Sequence, residues 1–489
     1  MQVAVVGAGL GGLAATCHLA GRGHDVVVFE REASPGGVAG VLAADGYRID
    51  TGPVVLTMAN LVADTFAAAG QSLGDHVTLQ RVDPMYRATF ADGSTLRVRA
   101  DPAATRDEIE QLAGRHEAEA FDRFRHWLSA LYAAEFEPFI NRNFASPLDL
   151  AGHVGALLRL VRLGALRRLA PRVASFFADE RLRRVFSFQA LYAGLSPYEA
   201  LAVFSIITYM DTIEGVLFPS GGMHELARGL ASAASAAGAS VRYASPVERI
   251  LRRPDGTACG VRLTDGSREA ADAVVCDVDV AATYRTLLGL APPRRVARAR
   301  YAPSCVLWLA GVRGRPPTGA AHHNLHFGHA WRDAFDAVLR RGVPMPDPSV
   351  LVTCATVTDP SLAPDGGTTL YALEPVPNLR GHVDWAREAP RRRADLVARL
   401  DGWGYPVQEV AVERFVDPRD WAGAGLEAGT PFSIAHRFLQ SGPFRAQNVD
   451  ARVPGLTLVG MGTVPGVGIP MVLISGRLAA DRVDAWGRR

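Results

Sequence analysis

The chain has 489 residues, 48% of them apolar and 21% charged, a composition that excludes a disordered or fibrous protein and gives room for two or three domains. A net charge of +2 supplies no bulk field for capturing nucleic acid, and no nucleic-acid partner is expected. All 52 basic residues are Arg, so Schiff-base catalysis through a lysine amine is excluded.

Gln2 to Val6 is a short apolar, β-branched run and predicts a buried parallel strand, with no basic leader or cleavage-type site ahead of it. Gly7, Gly9 and Gly12 follow as G-x-G-x-x-G. Leu13 to Arg22 then predicts a helix ended by Gly23, and Asp25 to Phe29 a second strand closing on Glu30. Each part has a task in holding a dinucleotide. Gly7 permits the tight turn, Gly9 lets the backbone approach a pyrophosphate, and Gly12 lets helix and strand pack closely. The helix N-terminus offers N–H groups and partial positive charge to phosphates, and Glu30 stands where a carboxylate accepts from ribose hydroxyls. A second glycine pair, Gly36-Gly37, comes soon after Glu30, where a nicotinamide-binding unit needs none.

Further along, Ala156 to Arg184 interleaves Leu, Val and Phe with eight Arg residues against only Asp179 and Glu180. It reads equally as a solvated helix face or as a basic amphipathic helix lying on an anionic membrane. Short strands are predicted within Ser240–Ile250, at Gly260–Leu263 and at Ala273–Cys276, completing the dinucleotide-binding domain begun at the N-terminus. His322, His323, His326 and His329 cluster with no carboxylate or Cys at ligand spacing, so no metal is expected. Cys17, Cys259, Cys276, Cys305 and Cys354 show no short pairing and read as free thiols of a cytoplasmic protein. Between Arg452 and Arg477 no residue is charged, but five Gly and two Pro argue for strand, loop and helix start rather than a membrane span.

Several of these segments together resemble the FAD-dependent carotenoid desaturases of the bacterial phytoene desaturase type, over almost the whole chain. Gly46-Tyr47-Arg48-Ile49-Asp50-Thr51-Gly52-Pro53 is similar to the family's D-T-G-P segment. Phe186-Ser187-Phe188-Gln189 with Leu191-Tyr192-Ala193-Gly194, and Phe218-Pro219-Ser220-Gly221-Gly222-Met223, resemble two internal blocks. Gly460-Met461-Gly462-Thr463-Val464-Pro465-Gly466-Val467-Gly468-Ile469-Pro470 resembles the C-terminal signature that returns to the flavin. Val38, Val464 and Met471 depart from residues common there (Arg, His and Gly).

The resemblance implies FAD, held by Gly7, Ala8, Gly9, Leu10 and Gly12, by Glu30, Arg31, Gly36, Gly37 and Val38, and by Gly52 and Pro53. It adds Val247 near adenine, and Gly460, Met461, Gly468, Ile469, Pro470 and Met471 at the flavin. The implied architecture is α/β: a discontinuous Rossmann-like FAD-binding domain (1–75, 216–290 and 415–489), a mixed-sheet substrate-binding domain (76–98 and 291–414), and a helical, membrane-associating subdomain (99–215). The implied reaction is desaturation of a C30–C40 polyisoprenoid such as phytoene by hydride transfer from an allylic carbon. The enzyme would sit peripherally on the cytoplasmic membrane surface. No second dinucleotide fingerprint exists, which leaves a quinone or oxygen as electron acceptor. No catalytic residue is identified; Asp149, Arg142 and Glu214 are the acid–base candidates. Open alternatives are another carotenoid substrate, hydroxylated or oxidised at a methyl group; an amine or protoporphyrinogen oxidase; and a prenyl-protein escort without flavin.

Overall fold

The computed structural model describes residues 1–144 and 146–488. The strand Gln2–Val6 is buried at four of its five residues. It pairs in parallel with Asp25–Phe29 on one side and Ala273–Cys276 on the other. Ser240–Arg242 and Leu456–Leu458 extend this into a five-stranded parallel sheet whose members come from the beginning, middle and end of the chain.

Side chains alternate between the two faces of the central strand. Val3 and Val5 pack with the helices Leu10–Gly21, His224–Ala236 and Ile469–Gly487, while Ala4 and Val6 face Ile250 and Val261. The first and last helices approach closely because Gly476 has no side chain: a Cβ there would stand 2.5 Å from the Ala14 Cβ and 2.6 Å from the Ala15 nitrogen. The predicted strand at Gly260–Leu263 is present. It lies in Ala258–Leu263, the centre of a separate three-stranded antiparallel sheet with Val247–Arg252 and Arg268–Ala270. It lies in a layer over one face of the parallel sheet, Val261 packing with Ala4 and Val6 in the core between them.

A seven-stranded mixed sheet forms the second layer, in the order Val410–Val416, Ser304–Arg313, Gly367–Val376, Val350–Thr353, His323–His326, Tyr86–Thr89 and Thr95–Val98. Its neighbours run antiparallel except His323–His326 with Tyr86–Thr89. One face packs on the helix Trp385–Gly402 through Trp308, Val352, Leu370 and Ala372. The intervening residues Tyr371, Leu373 and Leu351 face an internal cavity.

The helical region is built on Arg115–Glu135. Phe124 at its centre meets Trp127, Phe176 and Phe177 with ring centroids 5.2–5.6 Å apart. The basic stretch Ala156–Arg184 is not one amphipathic helix but parts of three short ones, Val154–Arg162, Leu169–Ala174 and Glu180–Val185. Gly164, at φ +72°, turns the chain after the first, and Asp179 caps the third by accepting from the Arg181 amide. Several of its arginines are absorbed by the fold. Arg172 lies over the Trp127 and Phe176 rings, Arg181 pairs with Asp179, and Arg184 with Glu180. Only the first helix exposes apolar residues, Val154, Leu158 and Val161, beside Arg159 and Arg162. The Arg452–Arg477 stretch is strand (Leu456–Leu458), loop and helix start, and among the described residues no helix is long and apolar enough to cross a membrane.

Candidate functional site

At the C-terminal edge of the parallel sheet three glycine-bearing segments meet. Gly7 turns the chain at φ +98°, Gly9 caps the first helix, and a Cβ on Gly12 would collide with the Gly7 carbonyl oxygen. The second glycine pair lies directly on this turn: the Gly36 amide donates to the Ala8 carbonyl at 2.8 Å, and a Cβ on Gly37 would stand 3.3 Å from the Gly9 Cα. From the far end of the chain, the Gly460 Cα approaches to 3.0 Å of where a Gly11 Cβ would be. Glu30 fastens the arrangement, its carboxylate accepting from the Ala8 amide at 2.6 Å and the Glu32 amide at 2.9 Å. A helix N-terminus, close-approach glycines and a carboxylate at the strand end are what a dinucleotide needs, so the residues present fit that group.

This cradle opens into one cavity of ≈1080 Å³. That is at the upper end of the range for small-molecule sites, roughly 300–1,000 Å³. Gly7, Gly9, Leu10, Glu30, Arg31, Gly36, Gly37, Val38, Gly52, Pro53, Val247, Gly460, Met461, Gly468, Ile469, Pro470 and Met471 all line it. Ala8 and Gly12 lie behind the lining, buried inside the turn.

Four features were not foreseen. Asp277, at the end of Ala273–Cys276, points its carboxyl into the glycine cradle: Oδ2 accepts from the Gly12 amide at 2.9 Å, and a Cβ on Gly9 or Gly460 would run into its oxygens. Burial pushes its pKa up to about 7, partly opposed by the Gly12 amide and reinforced by Glu30. Arg445 is 1% exposed and donates to the carbonyls of Thr463, Ile434, Gln440 and Met461 at 2.7–3.3 Å, pinning the loop that carries Gly460 and Met461. Two buried acids, Glu135 and Asp211, face the remainder of the cavity. Motif spacing carries no signal for any of these residues; only the acid Asp277, directly after a predicted strand of the parallel sheet, stood where a site residue is commonly found.

Beyond the cradle the walls are largely apolar and aromatic. Phe188, Leu191, Tyr192, Ile206, Ile207 and Met210 come from the helical region, and Leu325, Phe327, Trp331, Phe335, Leu351, Tyr371 and Leu373 from the mixed-sheet layer. Asp211 accepts from the Thr212 hydroxyl at 2.8 Å and from Gln189 Nε2 at 3.2 Å, while Glu135 Oε2 has no hydrogen-bond partner among the described residues. Burial alone drives Glu135 well above the usual carboxylate range. It raises Asp211 to about 7, against the opposing hydrogen bonds of Thr212 and Gln189.

Of the acid–base candidates, Arg142 lines the cavity, its guanidinium against the His153 ring and 5.8 Å from the Phe144 centroid. Asp149 instead accepts from the Ser146 amide in a capping box, and Glu214 accepts from the Tyr209 hydroxyl at 2.9 Å; neither lines the cavity. Two of the clustered histidines are framework residues: His322 and His323 meet the Thr358 and Thr353 hydroxyls, and burial lowers both pKa values. His326 stacks on Trp403 at 4.0 Å.

Residues 10–484 match the family of flavin containing amine oxidoreductases. The chain is 49% identical over 487 residues to a phytoene dehydrogenase of Streptomyces griseus, covering 99% of this chain and 95% of that one. It is 38% identical over 495 residues to a zeta-carotene-forming phytoene desaturase of Myxococcus xanthus, covering 99% and 94%. Among solved structures, a putrescine oxidase matches across 100% of both chains with a TM-score of 0.62 at 17% identity. An oxidoreductase from Methanosarcina mazei matches 98% of this chain and 100% of that one with a TM-score of 0.64 at 18% identity. At such identities the structural likeness concerns the fold.

Proposed function

The chain belongs to the flavin containing amine oxidoreductase family, and from that premise we propose that it is an FAD-dependent carotenoid desaturase whose substrate is a long polyisoprenoid such as phytoene. The carrying observation is the continuity of the dinucleotide cradle with a cavity walled by apolar and aromatic side chains. The full-length identity to phytoene desaturases supports the same substrate class.

FAD would be held by the Gly7–Gly12 turn and Glu30, by Gly36 to Val38, by Gly52 and Pro53, by Val247, and by Gly460, Met461 and Gly468 to Met471. When bound, it supplies the acceptor for a hydride leaving an allylic carbon. The chain's residues do the rest. Phe188, Phe327, Trp331 and Tyr371 align an extended polyene and exclude water, and Arg445 holds the Gly460 loop against the cofactor. A quinone or oxygen takes up the electrons afterwards.

The test is anaerobic incubation of FAD-loaded protein with phytoene in liposomes. Bleaching of the flavin absorbance with the growth of longer conjugated polyenes is the expected result; a flavin that stays oxidised rejects phytoene.

Asp277 gives the cofactor site a pH dependence. An FAD pyrophosphate held at the Gly7–Gly12 turn would bring negative charge toward this carboxyl, so binding would favour its protonated form and take up a proton. With its pKa at about 7, FAD affinity holds below that value and falls as pH rises through it. The slope approaches about tenfold per pH unit. Asp277→Asn is expected to flatten this dependence and bind FAD more tightly at pH 8.5, as read by titrating flavin fluorescence; an unchanged slope rejects the assignment.

The proposal places the enzyme on an anionic membrane at its cytoplasmic face. Leu148 is 82% exposed, Phe438 59% and Leu439 69%, and Arg159, Arg162 and Arg437 are exposed nearby in sequence. Phe204 and His436 line both the large cavity and an outer pocket shared with Leu166, Arg437 and Phe438, so the surface around Phe438 adjoins the substrate's space. Apolar burial plus about 1 kcal/mol per Arg near anionic lipid is the physical basis. Co-sedimentation with anionic vesicles is expected to weaken about tenfold in a Leu158→Glu, Phe438→Glu double variant and to fall with salt, since exposed charges are screened. Equal sedimentation of both proteins rejects this surface.

A further inference from the structure

We propose that the Asp211 carboxylate accepts the proton that leaves the substrate carbon beside the one giving up hydride. The proposal rests on the desaturase reading and names a base for it. Removing two hydrogens from adjacent carbons needs two acceptors. The first C–H bond breaks with its electron pair passing to FAD. The pair of the second C–H bond becomes the new C=C bond, and its proton must form a bond elsewhere, here to an Asp211 oxygen.

The fold gains little from this side chain. Asp211 is 4% exposed and lies in the last turn of the helix Ile206–Thr212, where the helix dipole disfavours an acid. It caps no helix and forms no ion pair among the described residues. A buried carboxyl without a cation is costly to keep, which marks it as a site candidate. It also lines the cavity together with Phe188, Tyr192 and Met210.

Its surroundings separate it from the other acid on the wall. Glu135 Oε2 lacks a donor among the described residues, and burial alone holds its carboxyl well above the usual carboxylate range, which disfavours the charged form a base needs. Asp211 receives the Thr212 hydroxyl on one oxygen and the Gln189 amide on the other, and both bonds stabilise the carboxylate. Its titratable neighbours are Tyr86, whose hydroxyl lies 3.3 Å from that of Thr212, and Tyr192. The helix Arg115–Glu135, packed against that of Asp211, adds Tyr132, which stacks on Tyr209 at 4.3 Å. None of these is cationic. The resulting pKa of about 7 suits a base working near neutrality.

The test compares FAD-loaded wild type, Asp211→Asn, Asp211→Glu and Glu135→Gln in anaerobic single turnover with phytoene in liposomes. Asp211→Asn is expected to keep FAD and its oxidised spectrum while flavin bleaching slows on the order of 10²–10³-fold, with the half-saturating phytoene concentration changed less than about threefold. Asp211→Glu is expected to recover much of the rate with a displaced acid limb. The wild-type limb near pH 7 should persist in Glu135→Gln. Bleaching by Asp211→Asn within threefold of wild type, or a limb that moves in Glu135→Gln instead, overturns the proposal alone. A wild type that phytoene never bleaches overturns the substrate reading and this proposal with it.

Discussion

Arg445→Met is expected to lose FAD and to unfold at lower temperature, at a cost of at least about 1–3 kcal/mol. Among the described residues the guanidinium is buried without a carboxylate, and its charge is met by four carbonyls, those of Ile434, Gln440, Met461 and Thr463. Charge-assisted bonds of this kind are stronger than neutral ones, and each carbonyl left buried without a donor costs about 1–3 kcal/mol. Methionine fills much of the volume but satisfies none of them. Met461 and Thr463 belong to the loop facing the cofactor, so lost stability and lost cofactor should appear together. A thermal melt with measurement of retained flavin decides it: a variant that stays yellow and melts within a degree or two of wild type rejects the clamp.

Gly12→Ala should give a folded but colourless protein. Its Cβ would overlap the Gly7 carbonyl oxygen and approach Asp277 Cβ to 3.2 Å, with rigid backbone on the first side. The turn must open, and with it the positions of Gly7, Gly9 and the helix N-terminus that meet the pyrophosphate. A loss of FAD affinity above about 100-fold, or 2.7 kcal/mol, is expected from misplacing that site. Far-UV circular dichroism should change little, because the strand and helix on either side keep their own contacts. Gly402→Ala is the matched control: it sits near the end of Trp385–Gly402 with nothing within 4 Å of its Cβ, so flavin content should be unaffected.

The two variants probe parts of the site that differ in how far they could be read from residues alone. Gly12 belongs to a pattern complete within thirty residues: a β-branched strand, a glycine turn, an Ala- and Leu-rich helix and an acid ending the next strand. Its meaning is local because the turn needs particular backbone angles whatever surrounds it. Arg445 carries no such pattern, and among 52 basic residues nothing in the sequence sets it apart. The basic stretch Ala156–Arg184 shows the opposite failure, a pattern without the structure expected of it. Its composition suits an amphipathic helix, yet Gly164 and the Asp179 cap cut it into three, and stacking on Trp127 and Phe176 takes up Arg172. Gly260–Leu263 reads as strand correctly, but its pairing with Arg268–Ala270 was not legible, because strand character does not specify a partner.

By itself the sequence determined the dinucleotide turn, the parallel strands that carry it and the glycine loop returning from the C-terminus. Backbone conformation and residue spacing express these within short segments. Only the tertiary structure decided which acids and which arginine matter. Asp277 reaches the Gly12 amide across 265 residues and Gln189 reaches Asp211 across 22. A carboxyl becomes a proton acceptor, or a guanidinium a clamp, through the burial and partners that distant segments bring to it, and no local pattern records those.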